Sequence, residues 1–237
     1  MNKSTLLLVS CLWFSVSNFA FAQELKQTEK TLTIKTELNY LLYLPEGYEK
    51  ESAKKWPLML FLHGSGERGN NELDLVKKWG LPKLVEEGRQ FPFILVSPQC
   101  PAGNQWDVEH LNQLLDKVAA DHDVDEKRIY LTGLSIGGYG AWAMAARYPD
   151  KFAAVAAICG GGDPGTAEKL LDIPIWAFHG DADKAVPLSE TMEMVDAIEA
   201  KGGKKIKLTV YEGVGHNSWS PTYANEELFK WFLNHSK

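Results

Sequence analysis

A serine hydroxyl attacks an acyl carbon at neutral pH only when a base takes its proton and a third group orients that base. Ser135, Asp183 and His216 are the residues of this chain placed to do so. Ser135 is the centre of Gly133-Leu134-Ser135-Ile136-Gly137, a G-x-S-x-G. Arg128 to Thr132 before it reads as a compact apolar and β-branched strand. After it, Gly138, Gly140, Ala141, Ala143, Ala145 and Ala146 read as a small-residue helix closed by Pro149. A serine on so tight a strand-to-helix turn is a nucleophile elbow. The turn costs about 1–3 kcal/mol of backbone strain, and the residues two before and two after the serine crowd each other, which selects glycine at both.

The partners come from later loops. His179-Gly180-Asp181-Ala182-Asp183 follows an apolar run, and Asp183 is the expected acid because it lies three residues before Val186-Pro187, where a helix starts; Asp181 is expected to cap the loop. Gly213-Val214-Gly215-His216-Asn217 presents a histidine between glycines. Only His216 and His235 follow the aspartates, and His235 lies third from the end on a helix face, so His216 is the expected base. His63-Gly64-Ser65-Gly66-Glu67-Arg68-Gly69 follows a third apolar run. There the backbone N–H of Ser65 is expected to join that of Ile136 as an oxyanion hole, with His63 in a structural hydrogen-bonding role. Trp79, Trp106 and Trp219 fall near the same loops and are candidates to stack on a sugar or phenolic ring, with packing as the competing role for each.

The elements that must hold these loops are legible as apolar runs. Pro57–Leu62, Phe93–Val96, Ile129–Leu131, Ala153–Cys159 and Ile175–Phe178 are continuous, as strands buried on both faces of a parallel sheet should be. Ile206–Tyr211 alternates and suits an edge strand. Thr31–Ile34 and Leu38–Leu44 read as an opening hairpin. Val108, Leu111, Leu114, Leu115 and Val118 recur at helical spacing behind a capping Asp107. Leu188 to Ile198 form a helix after Pro187, and Leu228, Phe229, Phe232 and Leu233 are the apolar face of the last helix. Strands alternating with helices predict an α/β domain, a mostly parallel central sheet flanked by helices on both faces, with its chemistry at the carboxyl ends of the strands. Only thirteen residues, Gly160 to Asp172, connect the strand at Ala153–Cys159 to that at Ile175–Phe178, so no cap domain is expected.

The first 22 residues read as an export signal: Asn2-Lys3, the apolar run Leu6–Phe14, and Ala20-Phe21-Ala22 as the cleavage site. Lipidation at Cys11 is the minor alternative. Residues 23–237 would then form one catalytic domain of 215 residues with a formal charge of −7, against −6 for the whole chain. An acidic product disfavours nucleic acid and anionic membrane surfaces as partners. No metal or other cofactor is expected, because the histidines lack ligand spacing and the glycine loops lack a P-loop lysine. Cys100 and Cys159 both end strands; if the usual strand order of such sheets holds, three spacings, or roughly 14 Å, separate those ends, which favours two buried thiols over a disulfide unless curling loops bring them within reach.

Four pieces carry a resemblance that spans residues 38–234: Leu62-His63-Gly64; Ser97-Pro98-Gln99-Cys100-Pro101 with Trp106; Arg128-Ile129-Tyr130 leading to Gly133–Gly138; and His179-Gly180 with Asp183. Together they resemble secreted bacterial carboxylesterases of the α/β-hydrolase superfamily. The chain is similar to the feruloyl and acetyl-xylan esterases of carbohydrate esterase family one and to polyhydroxybutyrate depolymerases, and it shares several pieces with prolyl-oligopeptidase-type hydrolases. The resemblance implies a serine esterase acting on a small-molecule or polysaccharide-linked ester. A serine peptidase would use the same triad, and a non-catalytic carbohydrate-binding protein would need none of it.

Overall fold

The computed structural model describes residues 37–49 and 53–237. The expected export signal and the Thr31–Ile34 arm of the opening hairpin lie outside them. The strands are β1 (Tyr40–Tyr43), β2 (Trp56–Leu62), β3 (Ile94–Pro98), β4 (Val124–Leu134), β5 (Ala154–Ile158), β6 (Ile175–Gly180) and β7 (Ile206–Tyr211). The helices are α1 (Gly80–Glu86), α2 (Val108–Asp121), α3 (Ile136–Arg147), α4 (Leu188–Ala200), α5 (Trp219–Ala224) and α6 (Glu226–Leu233).

The sheet order is β1-β3-β2-β4-β5-β6-β7. Neighbours pair in parallel throughout, except for β1, which pairs antiparallel with β3 from Tyr40↔Pro98 to Tyr43↔Leu95. The arm expected at Leu38–Leu44 is therefore an edge strand against β3. β7 forms the opposite edge, and its mixed burial matches its alternating sequence.

Side-chain alternation along each strand divides the core in two. Leu58, Leu60, Leu62 and Leu131 face one side, where they pack with Leu111 and Leu115 of α2, Trp142 and Met144 of α3 and Met194 and Ile198 of α4. Met59, Phe61 and Tyr130 face the other side and meet Leu81 of α1, Tyr223 of α5 and Phe229 and Phe232 of α6. Fully burying each of these large side chains is worth roughly 2 kcal/mol relative to exposure. The sheet thus sits between two helical layers, which gives the α/β-hydrolase architecture.

β4 starts earlier than its apolar run indicated. Val124 pairs with Trp56, and the register then shifts before Leu58↔Ile129. The polar residues Asp125 and Glu126 in that extension hide it from a hydrophobicity reading. Asp107 caps α2 as expected, its Oδ1 accepting the N–H groups of Glu109 and His110 at 2.9 and 3.0 Å. The β5–β6 connection holds one 3₁₀ turn, Pro164–Leu170, which tucks Ala167 and Leu170 into the core. Three spacings separate β3 from β5, and Cys100 and Cys159 are free, buried thiols.

Candidate active site

The turn from β4 into α3 puts Ser135 at φ 54°, ψ −119°, a region that few side-chain-bearing residues occupy. Two contacts enforce the turn. A Cβ on Gly133 would lie 2.1 Å from the Gly137 carbonyl oxygen, and one on Gly137 would lie 2.0 Å from that of Leu62. Ser135 N–H donates to Ile158 O at 2.9 Å, and Tyr139 N–H donates back to Ser135 O at 3.1 Å. The hydroxyl is thereby held at the carboxyl end of the sheet, at the mouth of α3.

Asp183 follows β6 and His216 follows β7, and the two loops are laced together. Ala182 N–H donates to Val214 O at 3.0 Å, and Asp181 Oδ1 accepts Gly213 N–H at 2.7 Å, which is the loop-holding part expected of Asp181. Gly180 allows the approach, since a Cβ there would lie 2.1 Å from Val214 O. The lacing delivers His216 between Asp183 and Ser135. Its Nδ1 is 2.6 Å from Asp183 Oδ2, and its Nε2 is 3.0 Å from Ser135 Oγ.

Asp183 has a fully buried side chain. Burial pushes its pKa up, but the hydrogen bond from His216 and those from the Val186 and Ala185 N–H groups outweigh it and hold the carboxyl below its ordinary range. A carboxylate so held persists at neutral pH and favours the histidine tautomer with hydrogen on Nδ1. Nε2 is then the acceptor facing Ser135.

The loop after β2 lies on the other side of the serine. A Cβ placed on Gly64 would be 3.7 Å from Ser135 Cβ. The next residue, Ser65, is exposed and opens a 3₁₀ turn, while Ile136 opens α3. First-turn N–H groups have no intrahelical acceptor, so both are donors available to a ligand. His63 underpins this loop. Its Nδ1 is 2.6 Å from Gly64 O, and its Nε2 accepts Cys100 N–H at 2.9 Å. Burial lowers its pKa to about 4, so the ring is neutral and structural.

The three tryptophans divide. Trp219 meets His216 edge-on at 5.3 Å, and Trp79 meets Trp219 at 6.0 Å, which forms an aromatic wall beside His216. Trp106 packs on His63 at 4.8 Å and donates from Nε1 to His63 O at 3.3 Å, so it supports the loop from within. Ser135 remains 8% exposed and the His216 side chain 27%, which leaves both within a ligand's reach. Hollows of 530 and 680 Å³ around Pro149 and Lys237 lie at the amino ends of the strands and include none of these residues.

Two contributors were not anticipated. His179, fully buried, is bonded to Thr191 Oγ1 at 2.7 Å and Val186 O at 3.0 Å, and its Nε2 is 3.3 Å from Asp183 Oδ2. Glu67 turns its carboxylate back onto Gly64 N–H at 2.9 Å. Their only sequence signal is position, inside the His-Gly-x-x-Asp and His-Gly-x-Gly-Glu segments. The Cys159 thiol also has a ligand atom within 4.8 Å of those of Asp183 and His216. Those two groups are engaged with each other and with Ser135, and burial pushes the thiol up to about 12.

A model of the dienelactone hydrolase family matches residues 102–226. The chain is 29% identical to poly(3-hydroxyalkanoate) depolymerase C of Paucimonas lemoignei over 60% of this chain and 37% of that protein. It is 28% identical to a probable feruloyl esterase C of Aspergillus terreus over 69% of this chain and 62% of that protein. Among solved structures, that of a thermostable esterase superposes with a TM-score of 0.74 at 33% identity, covering 85% of this chain and 60% of that one. The chain thus spans less than two thirds of the length of each of these relatives.

Proposed function

The chain belongs to the dienelactone hydrolase family, and on that premise we propose that it is a serine carboxylesterase working through Ser135, His216 and Asp183. The observation that carries this reading is the unbroken relay of 3.0 Å from Ser135 Oγ to His216 Nε2 and 2.6 Å from His216 Nδ1 to Asp183 Oδ2. Ser135 Oγ attacks the ester carbonyl as His216 Nε2 takes its proton. The N–H groups of Ser65 and Ile136 hold the oxyanion of the tetrahedral intermediate. Collapse expels the alcohol, which receives the proton from His216, and leaves an acyl group on Ser135. Water, deprotonated by His216, then releases the acid. Asp183 stays ionised throughout and stabilises the imidazolium.

The substrates proposed are feruloyl or acetyl esters carried on plant polysaccharide. The names of several relatives and the aromatic wall of Trp79 and Trp219 beside His216 support this class. Export of residues 23–237 is proposed from the character of the first 22 residues. Among the described residues no helix is long and apolar enough to cross a membrane. The test is turnover by purified protein on p-nitrophenyl acetate, butyrate and octanoate, methyl ferulate, acetylated xylan and a peptide amide. Ester turnover with amide turnover far below it supports the reading. Comparable amide turnover would favour a peptidase, and no turnover of any ester would overturn the assignment.

A further inference from the structure

Glu67 is a carboxylate only 4% exposed on a loop whose neighbouring residues Ser65 and Gly66 are less enclosed, Ser65 being open to solvent. Burying such a group costs several kcal/mol unless its oxygens are used. Here Oε2 accepts Gly64 N–H at 2.9 Å, while Glu67 N–H points back to Gly64 O at 3.4 Å. The other side of the turn is fixed as well. Gln99 Nε2 donates to Glu67 O at 3.0 Å and to Glu72 O at 2.9 Å, and Gln99 Oε1 accepts Asn71 N–H at 3.1 Å.

Gly64 is therefore gripped between this carboxylate and the nucleophile. A Cβ there would lie 3.2 Å from Glu67 Oε2 and 3.7 Å from Ser135 Cβ. Its N–H is spent on Glu67, so it cannot serve an oxyanion, and the next N–H along, that of Ser65, is the one left to do so. Ser65 N–H shares a peptide plane with Gly64 O, which His63 Nδ1 holds at 2.6 Å, and the Glu67 carboxylate anchors the preceding plane through Gly64 N–H. The two anchors together fix the ψ of Gly64 at −178°, where no side chain of its own restrains it.

We propose that Glu67 is a positioning residue for ester hydrolysis: its carboxylate pins Gly64 so that Ser65 N–H stays aimed at the oxyanion forming on the acyl carbon at Ser135. The role rests on the proposed functions of Ser135, Ser65 and Ile136. Glu67 touches no reacting atom. Its effect arises because oxyanion donors stabilise a transition state only when they are held in place before the charge develops. An uncharged acceptor of the same reach serves equally, since what matters is the hydrogen bond to Gly64.

The test is steady-state kinetics of wild type, Glu67→Ala, Glu67→Gln and Glu67→Asp on p-nitrophenyl butyrate, with kcat normalised to sites titrated by a fluorophosphonate and melting temperatures recorded in parallel. Loss of a whole oxyanion donor costs about 10²–10³ in kcat, and a loosened donor should cost less. Glu67→Ala is expected to lose roughly 10- to 100-fold in kcat with KM changed by no more than about threefold, the signature of a transition-state interaction. A trifluoromethyl ketone, whose hemiketal oxyanion uses the same donors, should weaken in parallel. Glu67→Gln should retain kcat within about threefold, because its amide oxygen still accepts Gly64 N–H. A folded Glu67→Ala with wild-type kcat, or with its loss confined to KM, overturns the proposal. Should the alanine variant fail to fold, Glu67→Asp is decisive: it keeps the charge but falls one methylene short, and a wild-type kcat there overturns the proposal equally. Absence of ester turnover in the wild type would sink the hydrolase reading itself, whereas turnover indifferent to Glu67 would sink only the positioning role.

Discussion

Asp183 grips His216 with one oxygen and its own loop with the other: Oδ2 is 2.6 Å from His216 Nδ1, while Oδ1 accepts the N–H groups of Ala185 and Val186 at 2.8 and 2.9 Å. Asp183 is thus built into the start of α4, and its orientation does not depend on His216. Asp181, two residues earlier, spends Oδ1 on Gly213 N–H instead. The two aspartates therefore make separable predictions.

Asp183→Asn should leave the fold intact and lower kcat on p-nitrophenyl butyrate by about 10³- to 10⁴-fold, because an amide facing Nδ1 stabilises the wrong tautomer. Asp181→Asn should cost less than about tenfold, as expected when one loop hydrogen bond worth ~1 kcal/mol is weakened. The opposite ranking, with folding checked by circular dichroism, would move the acid to Asp181.

Gly137→Ala tests the elbow. The added methyl would stand 2.0 Å from the backbone oxygen of Leu62, an atom held in the central strand β2 that cannot rotate away. The expected loss is about 3 kcal/mol or more, at the top of the range for overpacking. Gly66→Ala, where a Cβ meets nothing within 4 Å, should change stability by less than about 0.5 kcal/mol. Equal melting temperatures for the two variants would contradict the close approach.

Much of this arrangement was legible in the sequence, for identifiable reasons. The five central strands are buried on both faces, so their apolar runs stand out without periodicity. The elbow and the loop after β6 carry glycine where backbones meet, as at Gly133, Gly137 and Gly180. What escaped was structure made by polar residues or by distant partners. The start of β4 at Val124 runs through Asp125 and Glu126 and exists because Trp56 pairs with it. α1 begins at Gly80 with φ 65°, and α5 spans only six residues, too short for a helical period to register. The inward turn of Glu67 has no signal beyond its place in the His-Gly-x-Gly-Glu segment, since glutamate on a glycine-rich loop ordinarily reads as solvated. The hydrogen bonds joining Ser135, His216 and Asp183 follow the order anticipated along the chain, and it is the kinetics of Ser135 and Asp183 variants that decide whether those bonds serve catalysis.

His63 predicts an acid-sensitive fold. Its pKa is lowered to about 4 in the folded chain, against about 6.5 when unfolded. The unfolded state therefore binds the extra proton first. Stability contributed by the neutral ring is fully present above about pH 6.5 and is lost as pH falls toward 4, reaching a loss of about 2 kcal/mol by pH 5. Urea unfolding at pH 7.5 and pH 5 should show that decline, and His63→Gln should flatten it. A wild-type stability unchanged across this range would contradict the neutral, buried imidazole.

The β5–β6 connection carries only the 3₁₀ turn Pro164–Leu170, anchored in the core by Ala167 and Leu170. With no hydrophobic flap at that connection for an oil surface to open, rates on short-chain esters should saturate while the substrate is still dissolved. A jump in rate as p-nitrophenyl octanoate or tributyrin passes its solubility limit would contradict this open site.

The central claim is that Ser135 is the acylated nucleophile, and the most direct measurement is intact-protein mass spectrometry after treatment with a fluorophosphonate. The account predicts one adduct per chain, mapped to Ser135 by peptide sequencing, with ester turnover lost in step with labelling and both abolished in a folded Ser135→Ala variant. Stoichiometric labelling or undiminished ester turnover that survives Ser135→Ala would contradict it.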